Sequence, residues 1–406
     1  MARHTTPDGT DDFDIQSIAG FKGYVSASDP TNTDPHYMVR GSQNVYKKIS
    51  GTIANRPGRK LYDATSDSTQ AKCNTGYVWS TSLGQELPLR VANSKLQFYS
   101  TISGTGTWYD LLTGLTKTRF VFDYWWDNTD KKSKLLAVNG TGGTIYDWAG
   151  GVALFSSYAG GVITLDRNAA TAGFATAGSV TIGGISYTYT GISGSTLTGT
   201  SDATAAVAGT TAYSAIKTVT SLTSGPSSTY SCDFIRVITN QLYVGSYSSQ
   251  LLYISKNTNY ADFSFSIPRL SGEGDTVLLD GVGKGIGAIQ GQAHVFYGRS
   301  WLLKIYFEQL TVGSVLSEIT KTEKIPLGQL ISAQGHEFIT ALGDNLLYLD
   351  QANQLRSFGN FRNLYVAKSV LLSQQVQEEL AQEDFTGGSI RVVADRRGDV
   401  LSLIHI

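Results

Sequence analysis

Six carboxylates, Asp123, Asp127, Asp262, Glu273, Asp275 and Asp280, are the side chains best suited by type to general acid and base work. Glycoside hydrolysis needs two such groups flanking one bond, and no spacing among the six forces a pair together. Trp125, Trp126 and Trp148 could line a matching sugar groove, although aromatic residues in alternating strands more often belong to a core. Gly281–Gly287 (GVGKGIG) has the look of a phosphate cradle. A Walker A loop, however, needs four residues before its Gly-Lys pair and Ser or Thr after the Lys. This run therefore reads as a flexible glycine turn leading into a strand. His4, His36, His294, His336 and His405 lie far apart, without HExxH or Cys/His spacing, and read as surface or turn histidines. Cys73 and Cys232 read as two ordinary thiols. No GxSxG elbow is present. The expectation is a protein that is not an enzyme, with no catalytic residues, no bound metal and no cofactor.

The densest charge run is basic: Lys47, Lys48, Arg56, Arg59 and Lys60 fall within fourteen positions. Facing a channel, they could touch DNA phosphates without reading sequence; otherwise they form a solvated or subunit-interface surface. A formal net charge of −1 provides no global field toward nucleic acid or membrane. The N-terminus, MARHTTPDGTDDFD, lacks the apolar segment of a signal peptide, and no apolar run reaches the length of a membrane span. Synthesis in a cytoplasm, without membrane association, is expected.

The elements that would carry these residues are strands. Gly contributes 44 residues, Pro 8, and charged residues only 16%, a composition that favours short strands and tight turns. A recurring unit of two alternating strands around a polar turn appears at Val91–Tyr99, Leu136–Tyr146, Val237–Val244, Ile286–Phe296, Ile339–Leu349 and Ile390–Ile404. With Asn93, Gly140, Asn240, Gly291, Gly343 and Gly398 as turn markers, the gaps are 47, 100, 51, 52 and 55 residues. A period near fifty with several strands per unit predicts an all-β fold, a β-propeller of about six or seven blades.

The 100-residue gap holds either a poorly visible blade or an insertion. The composition of Gly160–Gly225 favours an insertion: four charged residues among Thr, Ser, Gly and Ala, with alternation at Val180, Ile182, Ile185, Tyr187 and Tyr189. The expected organisation is an N-terminal segment with the first blades at 1–159, a small inserted β-rich domain at 160–225, and the remaining blades at 226–406. Val366–Glu383 places Val370, Leu371, Val376 and Leu380 at helical spacing, which predicts one bracing helix. The chain ends on an apolar strand, LSLIHI, with no partner strand after it, so the last blade is expected to be incomplete.

Gly41–Asp63, GSQNVYKKISGTIANRPGRKLYD, resembles the N-terminal segment of phage tail nozzle, tail tubular and tail hub proteins. Its Pro57–Gly58 pair suits the two corners of a type II turn, with Ile53 and Leu61 on flanking extended segments. Leu251–Leu270, Ile286–Ile305 and Ser179–Gly199 are similar to other stretches of the same group. The resemblance implies a virion structural protein of the nozzle, hub or head–tail junction. It would form a homo-oligomeric ring around the DNA channel, contact other tail and connector proteins, and touch genomic DNA non-specifically. The competing expectation is a propeller that binds or hydrolyses host surface glycans.

Overall fold

In a computed structural model, the described residues are 73–312, 315–342 and 344–359, together with short strands at 4–5, 11–12, 23–25, 37–39, 45–47, 53–55, 368–371, 390–394 and 401–405. The chain falls into two compact units, 1–62 with 371–383 and 63–370 with 384–406. The first contains three two-stranded pairs: β1 (His4–Thr5) with β2 (Asp11–Asp12), β3 (Gly23–Val25) parallel to β4 (Tyr37–Val39), and β5 (Val45–Lys47) with β6 (Ile53–Asn55).

The second unit is a five-bladed β-propeller. Blade 1 is β7 (Cys73–Ser80), β8 (Glu86–Ala92), β9 (Lys95–Ser100) and β10 (Thr107–Leu112). Blade 2 begins with β11 (Val121–Asp127), β12 (Lys132–Val138) and β13 (Ile145–Trp148). A seven-stranded sheet follows: β14 (Val152–Ala159), β15 (Val162–Leu165), β16 (Gly178–Ile182), β17 (Ile185–Tyr189), β18 (Gly191–Ser193), β19 (Thr196–Thr198) and β20 (Thr211–Ser214). Blade 2 then closes with β21 (Lys217–Val219), which pairs antiparallel with β13 through Ile145↔Val219 and Asp147↔Lys217.

Blade 3 is β22 (Phe234–Ile238), β23 (Gln241–Gly245), β24 (Leu251–Ile254) and β25 (Asp275–Leu278). Blade 4 is β26 (Gly283–Ile289), β27 (Gln292–Tyr297), β28 (Trp301–Val312) and β29 (Val315–Pro326). Blade 5 is β30 (Ile339–Leu342), β31 (Asn345–Leu349), β32 (Leu355–Gly359) and β33 (Lys368–Leu371). A two-stranded pair, β34 (Ile390–Ala394) with β35 (Leu401–His405), completes the described strands. The first strands of blades 2, 3, 4 and 5 adjoin in succession, as the innermost strands of a propeller do.

Packing explains why apolar residues run consecutively in strands that also alternate. A blade is covered on both faces, so both sets of alternating side chains are buried. In β12, Leu135 and Ala137 join Trp79, Leu89 and Phe98 of blade 1. Their neighbours Leu136 and Val138 join Phe234 and Leu242 of blade 3. In β27, Val295 and Tyr297 pack on the blade 3 side, while Phe296 meets Tyr348 of blade 5 with ring centroids 4.6 Å apart. Each such aromatic or aliphatic side chain contributes roughly 1.5–3 kcal/mol by leaving water.

Four expectations change. The described residues form five blades, where six or seven were expected, because the long marker gap contains the seven-stranded sheet and no further blade. The markers also mix turn types: Asn93 and Gly140 follow the second strand of their blades, whereas Asn240 and Gly291 follow the first. The helix expected at 366–383 is replaced at Lys368–Leu371 by β33; there the edge of β32 imposes strand pairing over local helical spacing, and the rest of that stretch lies outside the described residues. Lastly, GVGKGIG is not a loop ahead of a strand, since from Gly283 onward it is β26 itself. A Cβ on Gly285 would lie 2.7 Å from the His336 Cα, and one on Gly287 would lie 2.5 Å from Leu346 Cδ2. Glycine here permits close approach of blade 5 to the innermost strand of blade 4.

The seven-stranded sheet has a core of its own, including Phe155, Ile163, Phe174, Val180, Ile182, Tyr187, Tyr189 and Leu197. It begins at Val152, ahead of the expected 160, and ends at Ser214. Among the described residues, no helix is long and apolar enough to cross a membrane.

His294 sits in β27 between blades 4 and 5, with its ring 5.8 Å from that of Phe358. Burial lowers its pKa from 6.5 to about 4. The folded imidazole therefore stays neutral where the unfolded one takes up a proton, so stability falls as pH drops from 6.5 toward 4. Urea titrations of the wild type across that window should lose up to about 3 kcal/mol more than those of His294→Leu. Parallel pH curves for the two proteins would contradict this assignment.

Candidate functional site: the polar cluster at the innermost strands

An innermost strand has one edge paired within its blade and one edge bare, and a buried bare amide is costly. Here side chains of neighbouring blades take those amides. Thr75 of β7 accepts from the Phe120 amide, ahead of β11, at 3.2 Å. Asp123 of β11 accepts from the Val237 amide of β22 at 2.7 Å. His336, ahead of β30, accepts through Nδ1 from the Ile286 amide of β26 at 3.1 Å. That bond assigns the His336 proton to Nε2. Burial pushes the Asp123 carboxyl above the usual range, against the Arg236 guanidinium 3.7 Å away and two backbone donors.

The residues leading into the innermost strands converge on a second layer of contacts. His336–Phe338 form a short 3-10 turn immediately before β30. Glu337 within it is 1% exposed at its side chain and pairs with Arg119, whose side chain is 45% exposed. The Tyr247 hydroxyl donates to Glu337 Oε2 at 3.0 Å and accepts from the His336 amide at 3.0 Å. The Arg119 guanidinium also lies 5.7 Å from the Tyr247 ring centroid. His336 stacks on Phe234 at 5.6 Å and 12°. One cluster thus joins blade 2 (Arg119), blade 3 (Phe234, Tyr247) and blade 5 (His336, Glu337).

Asp233, just before β22, orders the neighbouring loop. Its Oδ2 accepts from the Tyr247 amide at 2.8 Å and from Ser246 Oγ at 3.0 Å. Ser231 Oγ lies 2.7 Å from Asp233 Oδ1 and 2.9 Å from the Gly140 carbonyl, which also accepts from Lys117. Arginines stand opposite Asp123 and Glu337, while Asp233 accepts from hydroxyls and an amide, and hydrogen bonds run from blade to blade. Such an arrangement positions blades: the hydroxyls beside its carboxylates, Ser231 and Ser246 at Asp233 and Tyr247 at Glu337, donate to them and hold the loops ahead of the innermost strands. Among the described residues, no group of three His, Cys, Asp or Glu side chains could hold a metal ion.

The residues singled out by type are dispersed. Asp127 holds Lys134 at 2.5 Å, and that contact outweighs burial to lower its pKa. Asp262 accepts from Ser264 and pairs with Lys256, and Glu273 accepts from Ser266 and Leu270. Asp275 engages Thr320, while Asp280 holds Lys324 at 2.6 Å; these two line one cleft beside Tyr297. Trp125 and Trp148 are core residues, and Trp126 is 41% exposed. His294 and His336 are buried, not surface histidines, because each fills an inter-blade contact. Cys232 is a buried free thiol whose pKa is pushed up to about 12 by burial. Lys47 belongs to β5; the side chains of Lys47, Lys48, Arg56, Arg59 and Lys60, and the Pro57–Gly58 turn, lie outside the described residues.

Sequence reasoning missed Thr75, Asp233, Tyr247 and Glu337. A faint signal exists: Arg119, Asp233 and His336–Glu337 each stand one to three residues ahead of a blade's first strand.

No protein-family model matches the chain, and no curated protein matches it in sequence. Solved structures resemble it at low similarity. BBS1N in complex with ARL6DN has TM-score 0.30 and 10% identity, over 74% of this chain and 83% of that one. The computationally designed Ika8 protein has TM-score 0.27 and 9% identity, over 82% and 96%. Kluyveromyces lactis Hsv2 has TM-score 0.23 and 11% identity, over 73% and 98%. None of these likenesses carries an argument about function.

Removing one partner of the Arg119–Glu337 pair leaves the other charge uncompensated. Glu337→Gln should cost about 1–3 kcal/mol, below the fully buried range because Arg119 is partly solvated. Combining it with Arg119→Met should recover part of that loss in a double-mutant cycle; strictly additive effects would show that the pair is not coupled.

Proposed function

We propose that this chain is a structural component of a bacteriophage virion, a tail nozzle, hub or head–tail junction subunit that assembles into a ring around the DNA channel. The reading rests first on the resemblance of Gly41–Asp63 to such proteins. The observation that carries it in the fold is an arm on blade 4. β27 pairs with only Trp301–Ile305 of β28, whereas β28 and β29 pair along their full length to Val312↔Val315. The outer half of that hairpin is therefore a two-stranded ribbon projecting beyond its blade.

The arm is braced along its length by the segment that follows β24. Arg269 donates to Glu318 Oε2 and to the Glu273 carbonyl at 2.5 Å each and to the Gly274 carbonyl at 3.0 Å, with its guanidinium 4.5 Å from the Phe307 ring centroid. Leu270 bridges Ser317. On this braced frame Phe265, Ile267, Leu270, Leu310 and Ile319 are exposed, Ile267 by 93%. Apolar side chains held rigidly on a projecting edge suit burial against a second copy of the same chain. Lys47, Lys48, Arg56, Arg59 and Lys60 would supply the non-specific contact with genomic DNA.

The Val152–Ser214 sheet fits the role of an inserted module in blade 2, because β13 and β21 pair across it. It is tethered to blade 1 by the Tyr109–Thr211 hydroxyl pair at 2.7 Å and by Tyr213 donating to the Asp110 carbonyl at 3.0 Å. Replacing 150–215 by a short turn should keep the propeller's far-UV spectrum and lower its melting temperature. Loss of all cooperative unfolding would contradict the module reading.

The assembly role is tested by light scattering coupled to size exclusion across a concentration series. The wild type should run as a closed oligomer, and Leu310→Asp with Ile319→Asp should run as a monomer with an unchanged spectrum. A wild type that remains monomeric throughout would contradict it.

A further inference from the structure

At the far end of β11 from Arg119, blades 2 and 3 enclose a cleft of about 390 Å³ lined by Trp126, Asn128, Thr239, Asn240, Asn257 and Thr258. No charged side chain lines it. Trp126 is 41% exposed here, and Tyr124, two residues earlier on the same strand face, is 58% exposed. These two rings are the exception on a strand whose other aromatics, Phe122 and Trp125, are buried.

The platform is held in place by a single side chain. Asn240 Oδ1 accepts from the Trp126 amide at 3.0 Å, and Asn240 Nδ2 donates to the Trp126 carbonyl at 3.2 Å and to the Asn257 carbonyl at 2.9 Å. Both backbone groups of Trp126 are thus clamped by blade 3. Asn240 reaches them from the two-residue turn between β22 and β23, where Thr239 and Asn240 adopt φ of +50° and +57°. A β-branched residue in the left-handed region is costly, and Thr239 occupies the cleft wall at that cost. Its hydroxyl donates to the Ile238 carbonyl at 2.7 Å.

We infer that this cleft binds a neutral saccharide. An exposed indole offers an apolar face to the C–H side of a sugar ring, and Tyr124 extends that face along the strand. Asn128 and Asn257 are exposed amides that provide donor and acceptor together, the combination that adjacent ring hydroxyls require. Thr258 adds a hydroxyl. With no cation in the lining, a phosphate or sulfate has no partner; with no carboxylate, neither has an amine. Such a site, one indole face set among uncharged amides and hydroxyls, fits an uncharged polyhydroxylated ligand. The site does not depend on the ring-assembly reading, because it lies on blades 2 and 3 and uses no residue of the blade 4 arm.

The experiment is a titration of the full chain with maltotriose, cellotriose and triacetylchitotriose, followed by tryptophan fluorescence and calorimetry. Trp79, Trp125 and Trp148 are buried, so a ligand-dependent fluorescence change reports chiefly on exposed indoles. At least one of the three should bind saturably. Trp126→Ala should abolish that binding, and Asn257→Ala should weaken it about tenfold, the scale of one or two lost hydrogen bonds; both variants should melt as the wild type does. Asn257→Ala alone decides the matter if Trp126→Ala unfolds. The inference is overturned if none of the three sugars binds, or if binding survives unchanged in the variants. It is equally overturned if a decaproline peptide binds at Trp126 while the sugars do not.

Discussion

The fold depends on how the bare edges of its innermost strands are satisfied. A β-propeller leaves one edge of every first strand unpaired at its centre, where water access is restricted. In this protein the amides of Phe120, Val237 and Ile286 are taken by Thr75, Asp123 and His336, each from a neighbouring blade. One hydrogen bond therefore does two jobs, removing an orphan donor and fixing the distance between blades. Because leaving such a donor unmade costs about 1–3 kcal/mol, the blade-to-blade spacing is specified more sharply than hydrophobic packing alone would achieve.

Around these bonds the remaining polar cluster follows as a consequence. Once His336 is pinned to Ile286, its 3-10 turn places Glu337 against Arg119 and Tyr247, and Tyr247 in turn is held by Asp233. The glycines of β26 belong to the same logic, since a Cβ at Gly285 would collide with the backbone of His336. The polar side chains at this centre bond from blade to blade, Arg119 with Glu337 and Asp123 with the Val237 amide. The periphery is where the molecule departs from a plain propeller: the arm of blade 4, the seven-stranded sheet of blade 2, and the aromatic cleft between blades 2 and 3.

Much of the fold was legible in the sequence because hairpins are local. The turn residues Asn93, Asn240 and Gly291 adopt positive φ, and each expected hairpin is present as an antiparallel pair, from β8–β9 to β34–β35. Blade count was harder, because turn spacing cannot distinguish the first hairpin of a blade from the second, nor a blade from the Val152–Ser214 sheet. The helical spacing of Val370 and Leu371 misled for a different reason: a four-residue strand at a sheet edge takes its conformation from its partner. The central cluster was nearly illegible. Thr75, Asp233, Tyr247 and Glu337 come from three blades and more than 260 residues of chain, so their arrangement is a product of closure and leaves no local pattern.

The most direct measurement is hydrogen exchange of the innermost-edge amides, resolved residue by residue. If neighbouring blades capture them, Phe120, Val237 and Ile286 should exchange only through global unfolding, as slowly as amides paired within the centre of a blade. Exchange of these three at the rate of exposed turn amides, with the in-blade pairs still protected, would contradict the account.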